Sequence, residues 1–320
     1  MGGVSWSPAM RFLQTHPRGP GSAYELLAIE LELARHGFLP ISGLATQVAR
    51  VAGRLGLDTL LHPAPRDPVL LAHGGLPLTF PRALWTHFIP WSFDCWPPQW
   101  PRWESFYHRH RTQIAFLTAR QCAEHFQARF PGRPFVWLPE CIDPAEYNPG
   151  GPLADRPIDV LELGRNHAKF HAAIQPLLRQ RNAIHLYEKI RGEIIFPTRE
   201  ALVNAYATTR ISVCFPSSVT HPERSGSVET LTFRYLEAMA SRTLIVGQCP
   251  GELRDLFGYD PVIELSDPRR ITDVLGNIAT HQPLVDRNYQ RLLEVGTHTV
   301  RVEQLIAALR ANGYLTALEG

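Results

Sequence analysis

The sequence predicts an α/β protein of two domains, each built on a parallel sheet. Three observations predict it. Short strand-like runs alternate with helical stretches along the chain, which is the pattern of parallel α/β units. A length of 320 residues exceeds the size at which one core stops growing. Pro149-Gly150-Gly151-Pro152 interrupts the pattern near the middle, as a linker does. The expected domains are residues 1–150 and 151–320.

Composition narrows the function classes. With 44% hydrophobic and 19% charged residues the chain is globular rather than disordered. A net charge of +2 gives no electrostatic footprint for nucleic acid, which is excluded as a partner. The five cysteines show neither CxxC nor zinc-ligand spacing, so a reducing, cytoplasmic setting is expected. No apolar run is long enough to span a bilayer, so membrane association is left only as peripheral contact. No Walker A pattern, nucleophile elbow or Asp-x-Asp pair occurs.

In chain order, residues 1–8 carry no pattern and, with 318–320, read as extensions. Residues 10–15 read as a strand, 16–22 as a turn-rich loop and 23–36 as a largely buried helix. A second helix is expected at 45–55, and strands at 68–72 and 83–91. The latter two runs carry His73 and His87 at or near their ends. Residues 85–107 hold five of the seven tryptophans among prolines. They read as a loop folded onto the domain by its own aromatics, or as a stacking platform for an acceptor. Strand 113–117, helix 118–130 and strand 135–138 lead to the break at 149–152. In the second half, strands are expected at 158–163, 183–187, 194–198, 211–215, 243–246 and 262–265. Helices are expected at 199–207, 268–281, 289–296 and 300–312.

The most informative stretch is Ser225 to Gly247, SGSVETLTFRYLEAMASRTLIVG. Val228, Leu231, Tyr235, Leu236 and Met239 recur at helical spacing between two strand-like runs. A loop and helix start placed this way face the carboxyl edge of the sheet, where α/β folds bind ligands. A helix N-terminus there, at Thr230, Leu231 and Thr232, can hold a diphosphate. Glu229 and Glu237 stand eight positions apart. One carboxylate in a loop can accept from sugar hydroxyls, and one further along can accept from a ribose diol. Both also read as ordinary helix acids.

Glu229 to Val246 resembles the E-x7-E signature of group 1 (family 4-like) glycosyltransferases. LEAMAS followed by TLIVG is similar to that family's stretch after the second glutamate. The likeness covers nearly all of the second half and parts of the first. It implies a GT-B architecture, two Rossmann-like domains facing a cleft, with the last helix crossing back to the first domain. It implies transfer of a sugar from a nucleotide diphosphate sugar to an acceptor hydroxyl, with retention, no metal and no cofactor. Glu229 would lie near donor-sugar hydroxyls and Glu237 near the ribose. Gly164, Arg165 and Lys169 would meet the diphosphate, although Lys169 stands one residue short of the family's spacing. Phe196 would reach the base, and His87 would line the cleft. The family commonly follows its first glutamate with Gly-Phe-Gly, whereas Thr-Leu-Thr stands here. The acceptor is not specified: a saccharide, a lipid-linked acceptor and a small molecule all stay open. A GT-B epimerase and a non-catalytic nucleotide-sugar-binding scaffold are the other classes.

Overall fold

The computed structural model describes residues 10–14, 24–42, 67–73, 86–164, 166–190 and 193–315. The helix expected at 45–55, Arg165 and the terminal extensions lie outside the described residues. Among the described residues, no helix is long and apolar enough to cross a membrane. All five cysteines are free and buried.

The chain divides into two compact units, residues 1–139 with 298–320 and residues 140–297. In the first, β1 (Arg11–Gln14), β2 (Leu39–Ser42), β3 (Asp67–His73), β4 (Thr86–Ser92), β5 (Ala115–Leu117) and β6 (Phe135–Trp137) form one sheet. Its order is β2-β1-β3-β4-β5-β6, and every described pairing is parallel. Helices α1 (Tyr24–Arg35), α2 (Trp100–Arg109) and α3 (Arg120–Arg129) connect strands. The central strands are apolar on both faces: Val69, Leu70, Leu71, Phe88 and Ile89 are fully buried, as a doubly covered parallel sheet requires. The last helix, His298–Ala311, also belongs to this unit. Thr299 Oγ1 donates to Glu32 Oε1 of α1 at 2.9 Å, and the buried Arg301 Nε donates to the Pro139 carbonyl at 3.0 Å.

Two elements of this unit differ from the sequence reading. Strand β2 was not expected. The tryptophan-rich stretch holds helix α2 where a loop was expected, because Pro101 stands in the first turn, which has no intrahelical use for the missing N–H. Trp103, Phe106 and Tyr107 then fall on one buried face, where Tyr107 packs against Phe126, Phe130 and Phe135. Trp91, Trp96 and Trp103 are core residues rather than a platform.

The second unit is a four-stranded parallel sheet in the order β10-β9-β7-β8. Its strands are β7 (Ile158–Glu162), β8 (His185–Tyr187), β9 (Thr209–Cys214) and β10 (Leu244–Gly247). The helices are α4 (Ala168–Gln180), α5 (Arg199–Ala207), two single turns α6 (Ser217–Thr220) and α7 (Pro222–Ser225), α8 (Phe233–Ala240), α9 (Gly251–Phe257), α10 (Ile271–Gly276) and α11 (Gln282–Val295). With the last helix as α12, the series is complete among the described residues. Alternate strand residues feed two cores. Leu161 and Ile245 join Tyr235, Leu236 and Met239 on one face; Val160, Ile211, Val213 and Leu244 join Phe170, Ile174 and Leu178 on the other. The run at 194–198 forms no strand: Pro197 cannot donate to a ladder, and Thr198 instead caps α5 through its hydroxyl. The run at 262–265 contributes a single bridge, Ile263 to Val246.

The division falls at Pro139 rather than in the Pro-Gly-Gly-Pro break, because residues 140–149 are fastened within the second unit. Ile142 N donates to the Gly296 carbonyl at 3.0 Å, and Tyr147 Oη donates to Glu237 at 3.1 Å. The break itself is held by Arg156, whose guanidinium is buried. It donates to the carbonyls of Pro149, Gly151, Thr209 and Ser241 and to Thr243 Oγ1, all at 2.9–3.1 Å. Burial lowers its pKa to about 10, so it stays charged at neutral pH.

Candidate functional site

Sheet order locates the site before any side chain is considered. From β7 the chain moves outward to β8, then returns to the other side of β7 to build β9 and β10. The switch point therefore lies between the carboxyl ends of β7 and β9, where open α/β sheets bind ligands. Strand β7 is followed by Leu163-Gly164, with Gly164 at φ +69° turning the chain away from the sheet. Strand β9 ends at Cys214, followed by Phe215. His167, the N-cap of α4, accepts from Phe170 N through Nδ1 at 3.0 Å and stacks on Phe215 at 4.8 Å.

A cavity of about 410 Å³ opens at this edge. Phe215, Glu229, Gln248, Arg254 and Glu264 are among the residues that line it. Gly247 makes the wall possible: a Cβ there would lie 1.9 Å from the Cys214 carbonyl oxygen, at a φ of +150°. With no Cβ, Gln248 N reaches that same oxygen at 3.1 Å. Tyr235 Oη donates to the Gln248 carbonyl at 2.7 Å, and Gln248 Nε2 donates to Glu229 Oε1 at 2.9 Å. Glu229 thus stands in an open cavity, oriented by a residue that is itself held at two points. Cys249, beside it, is an inert thiol, since burial pushes its pKa up to about 12.

The helix after Glu229 begins later than its periodicity predicts. It starts at Phe233, with Thr232 as N-cap in extended conformation. The cause is Glu252, a buried carboxylate in the first turn of α9. Its Oε1 accepts from Leu231 N at 2.6 Å and from Thr230 Oγ1 at 2.7 Å, which holds residues 230–231 out of the helix. Thr230 and Leu231 are buried at 2% and 0% exposure, so neither presents its group to a diphosphate. The first turn of the helix lies beyond them, after half-buried Thr232.

Glu237 has different surroundings. It is only 8% exposed, and its two oxygens accept from Tyr147 Oη and Tyr206 Oη, each at 3.1 Å. Burial first, then the Glu237 charge, pushes the Tyr206 phenol well above its usual pKa, which keeps it a donor. Glu237 is not among the residues that line the cavity of Glu229. Lys169 is exposed on the first turn of α4, and Phe196 packs against the core beneath α8. Arg165 lies outside the described residues.

His87 sits at the wrong end of its strand for the role expected of it. It is the second residue of β4, paired with Pro68 at the amino edge of the parallel sheet, and stacks on Tyr314 at 6.3 Å. Burial lowers its pKa. The histidine at the carboxyl edge is His73, the last residue of β3, with its Nε2 3.4 Å from Ser92 Oγ.

Sequence reasoning missed Gln248, Glu252, Tyr235 and Arg234. Arg234 Nη1 donates to the Leu163 carbonyl at 2.9 Å and lies beside Gly164, bracing the loop at the end of β7. Gln248 was within reach, because it directly follows a strand, where site residues concentrate. The other three act through partners 13 to 71 positions away, which no local pattern records.

No protein-family model matches the sequence, and no curated protein is similar to it in sequence. Solved structures are similar to it in fold. Sucrose-phosphate synthase from Thermosynechococcus elongatus aligns with a TM-score of 0.60 at 11% identity, covering 95% of this chain and 100% of that one. AviGT4, a glycosyltransferase involved in avilamycin A biosynthesis, aligns at 0.54 and 14% identity over 95% and 97% of the two chains. HepE from Anabaena, in complex with UDP and glucose, aligns at 0.54 and 10% identity over 95% and 99%. The chain therefore has the GT-B fold, two Rossmann-like domains.

Proposed function

We propose that the chain is a glycosyltransferase that moves a sugar from a nucleoside diphosphate sugar to an acceptor hydroxyl. The observation that carries this reading is Glu229: a carboxylate oriented by Gln248 in an open cavity at the carboxyl edge of the second Rossmann-like sheet. The GT-B fold supports it, as does the likeness to HepE, a structure that holds UDP and glucose.

In this reading Glu229 accepts hydrogen bonds from donor-sugar hydroxyls. The Gly164 loop, Arg165 and Lys169 take the diphosphate and stabilise the charge that develops on it as the bond to the sugar breaks. Arg234 is a positioning residue that fixes the Leu163 carbonyl and hence the loop. The helix end contributes through Thr232 and the amides that follow it, since Thr230 and Leu231 are committed to Glu252. Glu237 reaches a ribose only if a tyrosine hydroxyl yields its place; otherwise it positions α8. Phe196 as a base contact, transfer with retention and a donor site that needs no metal complete the proposal, and the acceptor is taken to be a saccharide.

The test is calorimetry with UDP, GDP and their glucose conjugates, followed by NMR of the donor with and without saccharide acceptors. Saturable binding plus acceptor-dependent loss of donor is expected. Donor conversion without acceptor would point to an epimerase. The Thr-Leu-Thr loop held by Glu252 favours one further reading, a nucleotide-sugar-binding protein without turnover; binding with an unchanged donor spectrum would select it.

A further inference from the structure

Glu162, His171 and His185 form a cluster that the glycosyl-transfer reading does not use. Their ligand atoms lie within 4.8 Å of one another. Glu162 is the last residue of β7, His185 the first of β8, and His171 lies one turn into α4. Val160 and Glu162 share a face of the sheet, and His185 pairs with Val160, so all three residues meet between the sheet and α4.

As a hydrogen-bond network the cluster is poorly balanced. His171 Nδ1 and His185 Nε2 both converge on Glu162 Oε1, at 2.7 and 2.8 Å. Glu162 is 3% exposed, and its second oxygen is buried with no hydrogen-bond partner. Two imidazole nitrogens and a buried carboxylate pointing at one spot are a donor set that suits a borderline cation. The groups behind the histidines fit as well. Gln175 lies 3.3 Å from His171 Nε2, where its amide oxygen, after a flip, would accept the N–H of a metal-bound imidazole. Gln175 also bonds Tyr187 Oη at 2.8 Å. A cavity of about 420 Å³ lined by His185, Tyr187 and Gln175 opens beside the cluster and leaves room for a water as a further ligand.

We propose that Glu162, His171 and His185 bind one divalent transition-metal ion, with Zn²⁺ the fitting candidate. The role is structural. The ion ties the end of β7, the edge strand β8 and helix α4 together, and so fixes both flanks of the 163–167 loop. Its three ligands are distinct from the residues assigned to the donor, Gly164, Arg165, Lys169 and Glu229.

The test uses tag-free, chelator-treated full-length protein. Titration with ZnCl2 is expected to give one site per chain, Co²⁺ to give visible d–d bands that Zn²⁺ bleaches, and Zn²⁺ to raise the melting temperature. His171→Ala, His185→Ala and Glu162→Gln should each weaken Zn²⁺ binding at least 100-fold, while His281→Ala, outside the cluster, should not. The wild-type measurement decides even where a variant fails to fold: no one-to-one isotherm and no cobalt bands overturn the proposal. A Zn²⁺ site that survives all three substitutions in folded protein overturns it too, because it places the ion elsewhere. Neither result depends on donor binding, so the transfer reading stands or falls by its own experiment.

Discussion

The two carboxylates of the Glu229–Glu237 pair live in opposite environments. Glu229 is half-buried at the wall of a cavity, where the neutral amide of Gln248 donates to it. Glu237 is sealed between two phenols, one of them fully buried. A spacing motif treats them as equals, and the surroundings do not. A carboxylate at a cavity wall is cheap to remove from the fold; one that satisfies buried donors is costly to remove, because those donors lose their acceptor.

This contrast can be broken by measurement. The largest effect is expected from Glu237→Ala, which strands two buried hydroxyls at about 1–3 kcal/mol each. Urea denaturation should show a loss of about 3 kcal/mol, against about 0.5 kcal/mol or less for Glu229→Ala. Equal losses would erase the distinction. Glu252→Ala should follow at about 2 kcal/mol, since it leaves the Leu231 amide unpaired in the core and the Thr230 hydroxyl with only the Leu231 carbonyl at 3.2 Å. Its amide exchange should speed up at Leu231; unaltered protection there would mean that Glu252 does not hold the loop.

Binding sharpens the contrast from the other side. On the proposed reading, Glu229→Ala weakens donor-sugar affinity about tenfold or more, which calorimetry against UDP alone and a UDP-sugar can separate. Equal affinities for the sugar conjugate in variant and wild type would detach Glu229 from the sugar. Tyr147→Phe should cost about 1 kcal/mol, and a double-mutant cycle with Glu237→Gln should show coupling. The smallest effect is expected from Gln248→Ala, which removes the amide that donates to Glu229. Stability should change by less than about 0.5 kcal/mol, with a modest loss of donor affinity; a large fall in melting temperature would show that Gln248 is structural.

Much of the fold could be read from the sequence, because parallel sheets covered on both faces leave apolar runs that punctuate the chain. The strands at 158–162, 209–214 and 244–247 lie within two residues of their expected bounds at either end. The site was read less evenly. Glu229 and the Gly164 turn follow strand ends, which periodicity can find. Helix α8 was drawn too long because apolar spacing through Val228 and Leu231 continues across a cap that only Glu252, 21 positions later, enforces. His87 was displaced because a strand's content is easier to read than its direction in the sheet. Helix α2 was missed because three prolines outweighed an i, i+3, i+4 row of aromatics; their place at the start of the helix was the overlooked signal.

The attachment of residues 140–149 to the second unit has a practical corollary for anyone excising that half for separate expression. A fragment begun at the obvious proline-glycine seam would arrive without the phenol that stoppers one side of Glu237 and without one of the carbonyls that hold the Arg156 guanidinium. Starting at Glu140 and stopping at Thr297 keeps both, so the shorter excision is the one expected to precipitate.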